Sequence, residues 1–352
     1  MIWLTWRQIR LGATVVYAAL LALAVALVLT GPHLSDVYAQ DAKAFLGWVG
    51  GQKLDRRIYT VGIAAGYVVP AAIGAFWGAP MIARELEAGT HRLVWNQSVT
   101  RGRWLATRLG LGLAAAMTAG GVVGLAMTWW AHPLDRAVDR GTDGDAGGLL
   151  GIPRIVSDVF AARGVAPIGY AALALALGVL AGALLRRTVP AMAVTLVLYA
   201  VVQVVMPVWV RPHLASPRVS SSAITSTTLH GIRGHGPVAG GRGPTHVDSL
   251  DVGDSVPGGW ELSHRTVRHG TAVRTVPSWV IGCLPPPGTR QVKFGPREQA
   301  CFDRLAREGY RQQVTYQPAA HYWTLQWRET GLLLAGAALL SGACFWRIRR
   351  LV

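Results

Sequence analysis

Six stretches of this chain, each 17–26 residues long, contain no Asp, Glu, Lys or Arg: Leu11–Thr30, Ile58–Ala83, Leu109–Ala131, Val165–Leu185, Thr188–Val210 and Thr330–Trp346. A hydrocarbon core about 30 Å thick takes about 20 helical residues to cross, and only a helix or a closed barrel satisfies its own backbone there. The pattern predicts an all-α polytopic membrane protein with six transmembrane helices. Arg7 and Arg10 ahead of the first block imitate a signal peptide, but its 20 residues and the five blocks behind it predict a retained anchor.

Basic residues in short loops stay on the cytoplasmic side. With the N-terminus inside, segments 1–10, 84–108, 186–187 and 347–352 hold 12 of the 34 basic residues in 43 positions. The N- and C-termini are therefore expected in the cytoplasm, with the chain in the cell membrane. The net charge of +16 is read as topology charge facing anionic membrane lipid and not as a nucleic-acid surface, since no nucleic-acid motif accompanies it.

Residues 1–10 place Ile2, Trp3, Trp6 and Ile9 at helical spacing beside Arg7 and Arg10. Two readings stay open: an interfacial elbow helix meeting the first span at an angle, or a tryptophan anchor on an ordinary first helix. Segment 84–108 is the longest inner loop and mixes Glu85 and Glu87 with five Arg and with Leu86, Leu93, Val94, Trp95 and Trp104. It is too apolar for a linker and too polar for a span, which suits a docking surface; the plainer reading is a solvated loop whose tryptophans rest on headgroups. Thr100 is placed to cap the helix entering the third span.

Segments 31–57 and 132–164 read as outer loops. The 118 residues of 211–328 are enough for an extracytoplasmic domain between spans five and six, of mixed α/β or irregular structure. Its first part, 216–259, looks irregular; Ala272–Cys283 and Arg290–Phe294 are candidate strands, and Arg297–Tyr310 an amphipathic helix. Cys283 and Cys301 both fall here, where the compartment permits a disulfide. G-x-x-x-G pairs at Gly62/Gly66, Gly74/Gly78, Gly120/Gly124 and Gly178/Gly182 support close helix packing and are compatible with dimerisation.

Several chemistries are missing. The only lysines, Lys43, Lys53 and Lys293, follow Ala42, Gln52 and Val292, so no Gly-Lys-Ser/Thr phosphate loop exists. No Asp, Glu, Lys, Arg or His lies within the six blocks, which argues against an ion relay at membrane depth. There is no H-E-x-x-H and no G-x-S-x-G. His230/His235 and His264/His269 lack a clear third ligand, so no metal site is expected and the chain is not expected to be an enzyme.

The opening M-I-W-L-T-W-R-Q, the loop R-E-L-E-A-G-T-H-R-L-V-W-N-Q-S-V-T-R-G-R-W and the closing Y-Q-P-A-A-H-Y-W-T-L-Q-W-R-E-T-G resemble the permease subunits of actinobacterial type-2 ABC exporters. The resemblance implies six spans after an elbow helix and a coupling helix, between spans two and three, that docks on a separate ABC ATPase. Onto this chain it carries Arg84, Glu85, Glu87, Gly89, Thr90, Arg92, Trp95, Arg101 and Trp104. It implies no cofactor on this chain, ATP and Mg on the partner ATPase, and a second permease copy or paired permease. The 118-residue insert before the last span is longer than the short elements known there. A non-transporting sensor or scaffold, binding a ligand through that insert, is the alternative.

Overall fold

A computed structural model describes residues 2–88, 100–141, 148–225, 229–235, 246–252, 256–273, 277, 279–280 and 296–350, with backbone placement alone at 2–12, 101, 229–235, 246–252 and 297–298. Among the described residues, six helices are long and apolar enough to cross a membrane: Ala13–Gln40, Lys53–Glu87, Gly102–Trp130, Ala166–Leu185, Thr188–His213 and Ala319–Arg349. Each coincides with one charge-free block of the sequence. Most reach beyond their block, because a helix can run on past the apolar core, where water or a partner receives its charges.

The helical part comprises α1 (Ile2–Gln40), α2 (Phe45–Gly51) and α3 (Lys53–Ala72), which runs through a π-helical stretch, Ile73–Gly78, into α4 (Ala79–Glu87). It continues with α5 (Arg101–Trp130), α6 (His132–Asp139), the short α7 (Ser157–Phe160) and α8 (Ala166–Leu185). α9 (Thr188–Val205) passes through a second π-helical stretch, Met206–Val210, to a 3-10 turn at Arg211–His213. Beyond an inserted unit containing α10 (Pro296–Arg307), the last helix is α11 (Tyr322–Arg349). α1 runs as one helix from Ile2 to Gln40, with Trp3, Trp6, Arg7 and Arg10 in its first turns.

α8 is the axis of the bundle. Over an apolar 18-residue stretch of its span 72% of the residues are buried, against 17–39% in the same measure for the other five. Its small side chains explain this: a β-carbon on Gly178 would lie 2.2 Å from the Gly74 carbonyl oxygen, and one on Gly182 2.5 Å from that of Ala79. From α5, Gly120 and Gly124 press on the carbonyls of Pro167 and Gly164 in the same way, at 2.4 and 2.3 Å. Gly62, Gly66, Gly74 and Gly78 meet Met127, Ala162, Ala174 and Leu175. All four G-x-x-x-G pairs are therefore used in packing within one chain.

Both presumed outer loops are in large part helical. The last turns of α1, together with α2, α6 and a 3-10 turn at Gly148–Gly151, bury Leu34, Tyr38, Phe45, Leu46, Val49, Leu134, Val138 and Leu150 against Trp130 at the end of the bundle remote from the termini. Their apolar residues recur at helical spacing, but intervening Gly, Asp and Lys made the sequence read as loop.

Ser216–Pro318 forms a second compact unit, so Arg211–Ala215 and Ala319–Arg328 belong to the helical part. It contains β1 (Arg218–Ala223), β2 (Leu229–His235), β3 (His246–Val252), β4 (Trp260–Arg268), β5 (Thr271–Ala272) and β6 (Tyr310–Gln317). An antiparallel sheet runs β1-β6-β4-β5, and β2 pairs with β3. The expectation of irregular chain over 216–259 is thus corrected: β1, β2 and β3 lie there, their alternation masked by Ser and Gly. The amphipathic helix forms as α10, burying Phe302 and Leu305; Tyr310 and Val314 of β6 are buried likewise. Among the described residues of the candidate strand Ala272–Cys283, only Ala272 lies in a strand, β5; residues 274–276, 278 and 281–283, like Arg290–Phe294, lie outside the described residues.

Candidate functional site

At the end of the bundle that holds the termini, the roots of segment 84–108 are tied to three spans. Glu85, on the last turns of α4, forms a 2.5 Å ion pair with Arg108 of α5. Arg108 also donates to the Met81 carbonyl at 3.0 Å and lies over the ring of buried Trp104 at 4.4 Å. Glu87 Oε2 accepts two bonds from Thr188, the first residue of α9: one from its N–H at 3.0 Å, the other from its hydroxyl at 2.8 Å. Thr100 caps α5, its hydroxyl accepting from the Arg103 N–H at 3.4 Å. Both carboxylates singled out from the sequence are thus engaged within the chain, while Arg84 is exposed. Gly89, Thr90, Arg92 and Trp95 lie outside the described residues, and Arg101 opens the α5 backbone.

At the opposite end lies a polar layer that the sequence did not announce. Arg211, at the close of the fifth span, makes a bidentate pair with Glu329 of α11 at 2.7 and 2.9 Å, both side chains fully buried. Tyr170 of α8 donates to the same carboxylate at 2.7 Å, and Phe160 faces the guanidinium at 4.1 Å. One turn earlier, Gln326 accepts from the N–H groups of Val165 and Ala166 at 2.9 and 2.8 Å and donates to the Phe160 carbonyl at 3.0 Å. It supplies acceptors to the otherwise orphaned first N–H groups of the central helix.

A second bidentate pair joins Arg163 to Asp135 at 3.0 and 2.6 Å, flanked by Arg154, which pairs with Asp139 at 3.2 Å. Burial works against charge on Arg163, yet Asp135 and the phenols of Tyr59 and Tyr322 hold its guanidinium above its ordinary value. Burial likewise pushes the Asp139 carboxyl up, against the pull of Arg154.

Exposed Trp327 and Trp346 on α11 are 19 residues apart, about 28 Å along a helix and close to the thickness of a hydrocarbon core. Exposed Trp209 stands beside Arg211 in the same way. Tryptophan favours the headgroup level, so the Arg211–Glu329 pair sits near the membrane boundary and not at mid-depth. The charge-free blocks stop just short of these residues, which is why the pair escaped the sequence reading. The one signal available was an Arg or Glu abutting an apolar block.

Cys301 is disulfide-bonded and Cys344 is a free buried thiol; Cys283 lies outside the described residues. Among the described residues no group of three His, Cys, Asp or Glu could hold a metal ion, and His264 faces Glu261 at 2.9 Å. Among the described residues the arrangement offers ties from helix to helix. A family model described as ABC-2 membrane transporter related matches residues 17–211, more than half of the chain. No curated protein and no solved structure matches.

Proposed function

The chain belongs to the ABC-2 membrane transporter related family, and from that premise we propose that it is the membrane-spanning permease subunit of an ATP-driven exporter. It is a multi-pass membrane protein of the ABC-2 permease type. In the proposed assembly a second copy or a paired permease completes the translocation path, both termini face the cytoplasm, and a separate ABC ATPase binds ATP and Mg. Segment 84–108 receives the ATPase, with Gly89, Thr90, Arg92, Trp95 and Arg101 as the contact positions, and ends near buried Trp104.

The observation that carries this reading is the attachment of that segment to the spans: its roots are bonded to α5 through Glu85 and to α9 through Glu87. A rigid-body displacement of the segment therefore has direct purchase on two membrane helices, as nucleotide-driven rocking of a permease requires. The test is an affinity pull-down of the tagged, detergent-solubilised chain followed by an ATPase assay. Recovery of a P-loop ATPase whose turnover falls when residues 88–100 are replaced by a Gly/Ser linker is the expected result. Recovery of no ATPase would favour the sensor or scaffold reading built on the inserted unit.

A further inference from the structure

The fifth span lacks a cap from its own sequence: Arg187, at the N-cap position of α9, makes no side-chain bond to it. Its acceptor comes from another helix. Glu87, the last residue of α4, takes both the N–H and the hydroxyl of Thr188 on one carboxylate oxygen. A carboxylate there satisfies an orphaned N–H and meets the positive end of the helix dipole. The chain leaving Glu87 runs on at once through the rest of the proposed ATPase-facing segment, so the same residue ends one span, lies in that segment and caps another span.

The surroundings make this contact a handle and not a brace. α8 and α9 are joined by Arg186 and Arg187 alone, with Arg186 in the left-handed region at φ 55°. α8 is enclosed by other helices, whereas α9 leaves Val189, Val197, Val201 and Val204 exposed. Within the chain α9 is thus the less restrained of the two. Glu85, by contrast, is held to Arg108, which is itself fixed to the Met81 carbonyl and Trp104.

We propose that Glu87 is a positioning residue, carrying displacement of segment 88–100 to the start of α9 instead of pairing with a basic group on the ATPase. This rests on the permease reading. The experiment compares the complex recovered with wild type, Glu87→Ala, Glu87→Gln, Thr188→Ala and the Glu87→Ala/Thr188→Ala pair. It reads the ATPase recovered per permease, the turnover of the complex and its thermal unfolding. Glutamine keeps an oxygen that accepts both bonds but removes the charge an intermolecular ion pair needs.

Expected are a fall in turnover of about five-fold for Glu87→Ala, the scale of one lost hydrogen bond, and a smaller fall for Thr188→Ala, with ATPase recovery unchanged. Glu87→Gln stays within about two-fold of wild type, and the double variant is no worse than Glu87→Ala alone. The inference is overturned if Glu87→Gln is as poor as Glu87→Ala, if Glu87→Ala sheds the ATPase while Thr188→Ala is silent, or if turnover merely tracks the unfolding temperature. A wild-type chain that recovers no ATPase removes the permease premise, and this inference with it.

Discussion

Individual charged residues at the two ends of the bundle are held by partners distant in sequence, and their energetics follow from burial. Arg211 and Glu329 are both fully buried, so each depends on the other: a buried pair adds little net stability, but removing one member leaves an uncompensated charge and costs about 3–5 kcal/mol. Glu329→Gln is expected to lower the unfolding temperature of the detergent-solubilised protein steeply. Combining it with Arg211→Gln is expected to restore part of the loss, giving a clear coupling energy in a double-mutant cycle. Strict additivity in thermal unfolding would mean that the two side chains do not share one interaction. Neither residue stood out in the sequence, because each sits at the edge of an apolar block and 118 positions separate them. Thr100, in contrast, was legible as a cap, since capping is a bond to a residue three positions on.

At the scale of helices, contact is governed by what the glycines leave out. Gly178 and Gly74 pack backbone to backbone, and a side chain at 178 would collide with the Gly74 carbonyl and the Ala79 nitrogen at 2.2 and 2.7 Å. Gly331, also on a spanning helix, has nothing within 4 Å of its β-carbon position. Gly178→Val is therefore expected to destabilise the bundle by about 1–3 kcal/mol or more, by overpacking against backbone that has nowhere to go. Gly331→Ala is expected to be neutral or mildly stabilising, through helix propensity alone. Thermal unfolding of the two variants side by side checks this, and equal effects would refute the packing account. The G-x-x-x-G spacing was visible from the start, but not whether its close contacts lie within the chain or between copies. The π-helical stretch Ile73–Gly78 had no sequence signature at all: it contains the two glycines that meet α8, and the extra residue in its turns belongs to that contact.

For the molecule as a whole, the inserted unit is entered and left through chain that the bundle itself ties together. Arg211 bonds Glu329, and Arg328 donates to the Leu214 carbonyl, so both roots of Ser216–Pro318 are secured within the helical part. Replacing 216–318 by a short Gly/Ser linker is expected to leave membrane insertion and a monodisperse six-helix unit intact, measured by size-exclusion in detergent. Aggregation of that variant would show that the bundle relies on the insert for its stability.

The sequence by itself determined the six spans and the amphipathic helix of the insert. In each case the deciding physics is local: lipid demands an unbroken apolar run, and a helix shows its buried face every third or fourth residue. Tertiary structure alone decided which helix is central, that the presumed outer loops fold as helices, and that Glu85, Glu87, Asp135, Arg163, Arg211 and Glu329 are all engaged inside the chain. Those outcomes depend on which residues of different spans share one depth and face, and a charge near the end of an apolar block carries no mark of the partner that will let it be buried.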